Sequence, residues 1–430
     1  METTSIKISN PAAFKAKALE WANRFKLFVA YDSSDYAQDH YHKYDWLLVV
    51  DSVDFIQPQN NFFEEVEIFH QKNKGSIYGW LNYDCQTETH GITHTQPSTI
   101  QFPNCYFFSP RYILSMEENT LTVNRNYPET FEIVEQIEKT ELTKAVLNPM
   151  VFKPKTSREK YLSNIERIKQ KIENGDFYEL NYCTEIIAED VTINPIDTFL
   201  SLNHKSKAPF STLLKWQNNF ALCASPERFI CKRKNKIISQ PIKGTISRGK
   251  DVEEDESLKS ILQNSSKERA ENVMIVDLVR HDLTPYAKTS SINVDELCGI
   301  YTFNSLHQMI STVSAELADA KDGIKAIKAA FPMGSMTGAP KHEVLKNIME
   351  LETSARGLFS GTIGYTDRDG DFDFNIVIRT IFYSEDKKTI SIKTGGAITY
   401  DSIPEKEYEE VLLKRKILLE VLGGVVDENN

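Results

Sequence analysis

The sequence predicts a mixed α and β protein, built either as one very large domain or as two cooperating domains. Its 430 residues exceed the usual limit for a single hydrophobic core. Residues 1–145 contain short apolar and aromatic stretches separated by loops, which indicates a β-rich first part. Residues 150–430 alternate between helical and strand-like spacing, which predicts a more regular second part.

Composition and charge exclude several classes of protein. The chain is 40% hydrophobic and 26% charged, so it is neither disordered nor collagen-like. A formal net charge of -11 argues against nucleic acid or an anionic membrane as partner. No apolar run approaches the roughly 20 residues of a membrane helix. The six cysteines form no Cys-x-x-Cys pair, which favours reduced thiols and a cytoplasmic location.

The second part opens with a helix followed by a strand. Thr156 and Glu159 form a capping-box pattern, apolar residues then recur at helical spacing, and Gly175 ends the run. From Tyr178 to Tyr182 apolar and polar side chains alternate, which predicts a strand with one polar face. Three further strands are expected, at residues 220–223, 228–232 and 236–239.

Two later helices bring polar groups to defined positions. A helix over residues 266–280 places Glu268 and Glu271 on one face, since they are three residues apart. Another helix begins at Pro340, a residue that suits the first helical turn. The backbone N–H groups at that start are available to an anion.

The last helix carries three charged residues on one face. Ser402 and Glu405 form a capping-box pattern that predicts its start. At about 100° per residue, Glu407, Glu410 and Lys414 fall within an arc of roughly 60°. Three charged residues on one face of a helix need an explanation.

Each candidate residue also has an ordinary explanation when it is taken alone. Lys243 follows a strand-like segment and precedes a glycine, but a loop lysine is usually a solvated charge. Glu271 and Glu410 could hold a hard cation such as Mg²⁺, although surface salt bridges are commoner. His307, in a helical context, could simply be a packing histidine.

Several short sequence motifs in the second part occur together and in a fixed order. They are residues 175–178, 225–229, 241–245, 270–272, 277–280, 334–341, 361–365, 376–379 and 395–397, with the Glu407 to Lys414 helix face. Through them the chain resembles the chorismate-utilising enzymes, and within that family the aminodeoxychorismate synthases. A weaker match extends to residues 34–45 in the first part.

The resemblance implies a fold and a reaction. The fold is α/β (α+β), with two facing antiparallel β-sheets, helices outside them and the active site in the central cleft. Residues 150–430 would form the chorismate-binding catalytic region. The reaction would convert chorismate and ammonia to 4-amino-4-deoxychorismate, a precursor of p-aminobenzoate and folate.

The resemblance also implies catalytic roles. Lys243 would be a covalent nucleophile, whereas anthranilate synthases usually have alanine at this position. An unperturbed lysine titrates near 10.4, so we expect the site to depress the pKa of Lys243. Glu227 would protonate the departing hydroxyl, which requires a raised pKa. His307 would lie near the ring in a supporting role.

Ligand and metal contacts follow from the same resemblance. Mg²⁺ would be held by Glu271 and Glu410, with Glu268 and Glu407 acting through water or as outer partners. The substrate would be held by seven residues: Thr245, Ser335, Tyr365, Arg379, Gly395, Gly396 and Lys414.

Two features concern regulation and partners. Ser34 and Tyr41 match positions that line an amino-acid pocket, for tryptophan, in relatives. Nothing in the chain resembles a glutaminase site, so ammonia would come from a separate glutamine amidotransferase subunit. Glu179 departs from the glutamine that related synthases more often have, whereas isochorismate and salicylate synthases have a water-activating lysine there.

Two alternatives remain from the sequence. Anthranilate synthase component I would add ammonia at C2 instead of C4, and the product of the reaction separates these two activities. A non-catalytic regulatory subunit that binds chorismate or an amino acid would have no need of Lys243, Glu227, Glu271 and Glu410 together.

Overall fold

The computed structural model describes residues 3–427, apart from 35, 37, 95, 125–129, 145–148 and 305. Within the described residues the chain forms a mixed α and β fold. No helix among them combines the length and the apolar character needed to cross a membrane.

The elements are numbered in chain order. The strands are β1 (Thr3–Lys7), β2 (Leu27–Asp32), β3 (Trp46–Ile56), β4 (Ile77–Leu81), β5 (Cys105–Glu117), β6 (Thr120–Asn124), β7 (Met150–Pro154), β8 (Glu179–Ala188), β9 (Phe210–Trp216), β10 (Asn219–Ser225), β11 (Arg228–Arg233), β12 (Lys236–Gln240), β13 (Ile242–Ser247), β14 (Asn293–Thr302), β15 (Leu306–Glu316), β16 (Gly338–Ala339), β17 (Thr362–Thr366), β18 (Phe372–Asn375), β19 (Thr380–Ser384), β20 (Thr389–Ile398) and β21 (Gly424–Val426). The helices are α1 (Pro11–Ala22), α2 (Phe62–Asn73), α3 (Gln86–His90), α4 (Thr130–Glu138), α5 (Arg158–Glu173), α6 (Pro195–Ser206), α7 (Val252–Asn264), α8 (Ser266–Leu283), α9 (Gly323–Ala330), α10 (Lys341–Leu351) and α11 (Pro404–Leu422).

The strands form two antiparallel layers that share β5. The first layer runs β1-β6-β5-β3-β2-β9-β10-β19-β20-β8, and β7 extends it with the parallel strand β21. The second layer runs β4-β17-β18-β11-β12-β15, and β15 also pairs with β13 and β14. Residues 105–108 of β5 pair with β4, and residues 114–117 pair with β6. One long strand therefore connects the two layers.

The two layers face each other across a common core. Val29 and Leu47 from the first layer pack in one cluster with Trp80, Ile363 and Phe374 from the second. Helices α1, α4, α6 and α11 cover the other side of the first layer in a separate apolar cluster. The facing antiparallel sheets with outer helices that the sequence resemblance implied are thus confirmed, with β7 and β21 as a parallel exception.

The helix starts differ in detail from the predicted capping boxes. Ser157, not Thr156, caps α5, because its side chain accepts from the backbone N–H of Lys160 at 3.2 Å. Ser402 does not cap α11; it donates to Glu407 Oε1 at 2.7 Å. At α5 two adjacent residues, Thr156 and Ser157, each have a hydroxyl group that could cap the helix. At α11 the hydroxyl group of Ser402 could bond either to the helix backbone or to a side chain. Local spacing could not decide between these alternatives.

The first part contains more helix than the sequence predicted. Helix α1 follows Asn10, whose side chain accepts from Ala13, and a proline occupies its first turn. Helix α2 buries Phe63 and Val66 against the core between the sheets. The description of residues 1–145 as short strands and loops was therefore incomplete.

Candidate active site

A cavity of ≈ 900 Å³, part of which opens to solvent, lies where both sheets meet α8 and α11. Its walls include residues of β8 and β20 from the first sheet and of β13 and β15 from the second. This arrangement brings together most of the predicted site residues: Glu227, Lys243, Thr245, Glu268, Glu271, Ser335, Arg379, Gly395, Glu407, Glu410 and Lys414.

Lys243 enters the cavity from an irregular part of β13. The pairing of β13 with β15 shifts register between Ile242 and Thr245. Gly244 has φ +95°, and a Cβ there would lie 3.1 Å from Glu268 Oε2. Glycine is therefore required beside the lysine, because a larger residue would be strained and would crowd Glu268.

Lys243 is paired with the residue that departs from related synthases. Its Nζ donates to Glu179 Oε1 at 2.5 Å, and the Glu179 side chain is fully buried. Burial lowers the pKa of Lys243, but the nearby charges of Glu179 and Glu271 outweigh burial and raise it. This direction is opposite to the depressed pKa expected from the sequence, because a carboxylate, Glu179, is in direct contact with the amine.

Glu227 lies in the turn between β10 and β11 and is 4% exposed. Its Oε1 accepts from the backbone N–H of Ile242 at 3.2 Å. Burial raises the pKa of Glu227 to about 7, although that hydrogen bond and the charge of Lys243 oppose the rise. A general acid requires such a raised pKa, because it must still hold its proton near neutral pH.

Four carboxylates from two helices form one wall of the cavity. Glu268 and Glu271 come from α8, while Glu407 and Glu410 come from α11. Burial raises the pKa of Glu271 to about 7, and burial with the charge of Glu410 raises the pKa of Glu407. The pKa of Glu410 is lowered, mainly by the charge of Lys414. Glu271 and Glu407 are buried, and buried carboxylates with raised pKa values form a site that attracts cations.

A lysine side chain partly neutralises the negative charge of this wall. Lys267 Nζ lies 3.4 Å from Glu407 Oε1 and 3.8 Å from Glu271 Oε1. Glu271 Oε1 is nevertheless buried without a hydrogen-bond donor among the described residues. It is an acceptor in need of a partner.

These carboxylates fit a magnesium ion that keeps much of its own coordination. Within the described ranges, no three acidic, histidine or cysteine side chains form a ready-made metal cluster. Mg²⁺ usually takes one or two protein carboxylates and fills its remaining positions with water or substrate. Glu271 Oε1, which has no hydrogen-bond donor among the described residues, and Glu410 on the same cavity wall are suited to that mode of binding.

Positive charge and backbone groups lie beside this acidic wall. Lys414 Nζ donates to the Gly395 carbonyl at 2.8 Å and lies 2.7 Å from Glu410 Oε1. Arg379 has φ +53° and lines the cavity, and its guanidinium makes no ion pair within 4.0 Å in the described part of the chain. A Cβ on Gly396 would lie 3.6 Å from Glu407 Oε2. An unpaired guanidinium in a cavity is suited to bind a carboxylate.

His307 does not reach the cavity. It lies on β15, not on a helix as expected, and is fully buried. Its Nε2 lies 2.9 Å from Asp255 Oδ1, and its Nδ1 lies 3.0 Å from Thr302 Oγ1. The next residue, Gln308, lines the cavity instead, since successive side chains of a strand point to opposite faces. His307 therefore has no position from which to support the ring.

Tyr365 is also placed elsewhere. It lines a second cavity of ≈ 480 Å³ between Tyr31 and Tyr44, with ring centroids 6.0 and 5.5 Å away. Arg228 and Asp373 lie on another wall of that cavity. The substrate contact predicted for Tyr365 is thus not supported by its position.

The proposed amino-acid pocket has a partly different lining. Ser33 and His42 line the second cavity, but Ser34 and Tyr41 are not among its lining residues. Ser34 Oγ donates to Asn203 Oδ1 at 2.9 Å. The Tyr41 ring centroid lies 6.0 Å from Arg228 Cζ, at the edge of that region. Binding of an amino acid there stays a prediction.

Sequence reasoning missed several cavity residues. Asn181, Lys267, Gln308 and Lys393 all line it. Asn181 is on the polar face of the strand that alternation predicted, so a signal existed for it. The position of Gln308 in the cavity could not be predicted, because its segment was expected to be a helix and not a strand. Its Oε1 is buried without a partner in the described ranges, which suits a ligand contact.

Comparison with known proteins agrees with this geometry. The profile of a family described as chorismate binding enzyme matches residues 16–420. Aminodeoxychorismate synthase component 1 of Bacillus subtilis (strain 168) is 32% identical over 359 residues, covering 79% of this chain and 75% of the relative. The chloroplastic aminodeoxychorismate synthase of Arabidopsis thaliana is 41% identical over 268 residues, covering 62% of this chain. That match spans only 29% of the plant protein.

A solved structure shares the architecture. Anthranilate synthase component I from Streptococcus pneumoniae TIGR4 superposes with a TM-score of 0.77 over 86% of this chain and 91% of that chain, at 24% identity. This likeness concerns the fold alone. The family profile, by contrast, spans nearly the whole sequence, including every residue that lines the cavity. The chain therefore belongs to the family of chorismate-binding enzymes.

Proposed function

We propose that this chain replaces the C4 hydroxyl of chorismate with an amine, as an aminodeoxychorismate synthase component I. The observation that carries the proposal is Lys243, a buried lysine that lines the cavity together with the carboxyl group of Glu227. A nucleophile and a proton donor in one cavity are what a two-step substitution needs. Relatives named aminodeoxychorismate synthases at 32% and 41% identity support it.

The cavity has groups for both carboxylates of chorismate. Arg379 offers two parallel N–H donors to the enolpyruvyl carboxylate, and Lys414 adds charge beside it. Thr245 and Ser335 contribute hydroxyl groups. Gly395 also lines the cavity, but a Cβ there would clash with Cys183 Sγ, so this glycine allows β20 to approach β8 closely. These contacts would fix which ring carbon faces Lys243.

Mg²⁺ would be held by Glu271 and Glu410, with Glu268 and Glu407 acting through water or as outer partners. When bound, it would neutralise the ring carboxylate, which could not otherwise lie against four glutamates. Lys267 would remain at the rim between α8 and α11, where it now faces Glu271 and Glu407.

In the first step the amine of Lys243 forms a bond to C2. Both ring double bonds shift, the C4–O bond breaks, and Glu227 gives its proton to the hydroxyl, which departs as water. In the second step ammonia forms a bond to C4 and both double bonds shift back. The C2–N bond breaks and its electron pair returns to Lys243, while the new C4 ammonium group passes one proton to Glu227, so the product keeps an amino group at C4.

Ammonia would be delivered by a glutamine amidotransferase subunit. The relative in Bacillus subtilis is named as component 1 of its synthase. We expect the isolated chain to use ammonium directly and to use glutamine only when such a subunit is added. Glutamine-dependent turnover by the isolated chain would contradict this division of labour.

The decisive experiment identifies the product. The chain is incubated with chorismate, Mg²⁺ and ammonium, and the products are separated by chromatography with mass detection. We expect 4-amino-4-deoxychorismate. Anthranilate as the main product would overturn the proposal in favour of C2 amination, and an absence of turnover at high ammonium would favour a binding or regulatory protein.

The covalent step has its own test. Without ammonia, the peptide over residues 241–248 should gain the mass of the dehydrated substrate on Lys243. Lys243→Ala should lose C4 amination, with at most slow attack by ammonia, including at C2. An unmodified peptide together with near-normal C4 amination by Lys243→Ala would show that the lysine is only a charge in the site.

A further inference from the structure

We propose that Glu179 is a catalytic residue that takes a proton from Lys243 before attack and returns it when the lysine leaves. This inference rests on the proposed function, since it assigns a base to the nucleophile of that reaction. It starts from one contact, the hydrogen bond of 2.5 Å from Lys243 Nζ to Glu179 Oε1. The two residues are 64 positions apart and meet only in the fold.

The surroundings leave the lysine few other routes for its proton. Lys243 is 8% exposed, and among the described residues Glu179 is its one hydrogen-bond acceptor. Lys243 lines a cavity that opens to solvent, but once the substrate fills that cavity little water can reach the Nζ atom, and proton transfer then uses a group in contact. Glu179 is such a group, at hydrogen-bond distance and fully buried.

The second oxygen of Glu179 makes the carboxylate a free acceptor. Glu179 Oε2 is buried and has no hydrogen-bond donor in the described part of the chain. A carboxylate with a purely structural role would usually have both oxygens satisfied. Within the described ranges the Lys243 ammonium is its one ion-pair partner, so the charge of Glu179 is directed at the nucleophile.

Other charges around the lysine hold it as an ammonium but are not in contact with it. Burial lowers the pKa of Lys243, and the charges around it raise that pKa on balance. The carboxylates that face Lys243 are on β8, in the turn before β11, and on α8 and α11: Glu179, Glu227, Glu268, Glu271 and Glu410. Several of them are engaged elsewhere, Glu227 with the Ile242 N–H and Glu410 with Lys414.

The proton balance of the reaction is then closed inside the site. One N–H bond of the Lys243 ammonium breaks, its proton moves to Glu179 Oε1, and its electron pair becomes the lone pair that attacks C2. The adduct carries a secondary ammonium. When the C2–N bond breaks in the second step, Nζ regains its lone pair and takes the proton back from Glu179.

The test combines turnover with a chemical measure of the lysine. Glu179→Gln keeps the shape but removes the base, and Glu179→Asp keeps a carboxylate at a greater distance. Turnover is followed as C4-aminated product. Independently, the rate of Lys243 acetylation by trace acetic anhydride is measured by mass spectrometry without substrate. Asp371→Asn is the control, since it removes the partner of the buried Lys232 outside the cavity.

We expect the two readouts to move in opposite directions in Glu179→Gln. The acetylation rate of Lys243 should rise, tenfold for each unit by which its pKa falls, because the neighbouring negative charge is gone. The turnover number should fall by about 10²-fold or more, because the proton acceptor is gone. Glu179→Asp should retain more turnover than Glu179→Gln, and Asp371→Asn should change neither readout at Lys243.

Two outcomes would overturn the role of Glu179. If acetylation and turnover both rise in Glu179→Gln, Glu179 only suppresses the nucleophile. If Glu179→Gln and Glu179→Asp lower the turnover number by the same factor and leave the acetylation rate of Lys243 unchanged, Glu179 only packs against the strand. If the original chain makes no C4-aminated product, the proposed function has failed instead, while the acetylation rates still report on the pair.

Discussion

Replacing Glu227 by glutamine separates the charge of this residue from its shape. Glu227 is 4% exposed, and burial raises its pKa from 4.5 to about 7. In the unfolded chain the same carboxyl group titrates near its ordinary value. Between those two pH values the folded protein therefore holds a proton that the unfolded chain has released.

The sign of the effect follows from proton linkage. The stability contributed by protonated Glu227 is fully present below pH 4.5 and is lost as the pH rises through about 7. The full difference is about 3 kcal/mol at 1.36 kcal/mol for each pKa unit. Glu227→Gln is neutral at every pH. It should therefore exceed the original chain in unfolding free energy by up to about 3 kcal/mol at pH 8, with no such gain at pH 4.5.

The assay is urea unfolding of both proteins at pH 4.5, 6 and 8, together with turnover. Glu135→Gln is the control, because Glu135 is an exposed carboxylate paired with Lys139. It should show no pH-dependent gain. Glu227→Gln should be the more stable protein at pH 8 and yet lack C4 amination. A stability difference that does not change with pH would refute the reasoning about burial of this carboxyl group.

Further predictions concern the metal, the backbone and the second cavity. Excess chelator, Glu271→Gln or Glu410→Gln should each lower C4 amination by more than about tenfold with unchanged circular dichroism; full activity in chelator would contradict a metal. Gly244→Ala should lower the unfolding free energy by about 1–3 kcal/mol in urea, since φ is +95° there; unchanged stability would show that β13 relaxes. Saturating tryptophan should leave turnover unchanged, and strong inhibition would show a regulatory pocket beside Tyr41.

Local patterns predicted four of the seven helices that the structure describes in the catalytic region, and missed α6, α7 and α9. Helices α5, α8, α10 and α11 were expected from apolar spacing and end signals, and each is present. These signals act within a few residues of one another, so the sequence carries them directly. The exact cap was wrong at Ser157 because Thr156 stands beside it and either hydroxyl can serve.

Contacts between distant segments were not available from such patterns. The pair of Lys243 and Glu179 joins β13 to β8, so the raised pKa of the lysine could not be foreseen. His307 was misplaced because a strand was taken for a helix. In a strand a shift of one residue exchanges the two faces, so Gln308 reaches the cavity and His307 does not.

The pairing between the two parts of the chain bears on how the catalytic region could be isolated. All residues that line the main cavity lie between positions 181 and 414. Yet β9 pairs with β2, and β17 pairs with β4, so strands before residue 120 cover two edges of the catalytic sheets. A fragment starting at residue 150 would expose those edges as open hydrogen-bonding rows, which recruit other chains. We expect such a fragment to aggregate, so any exchange of catalytic regions between relatives must carry the matching edge strands with it.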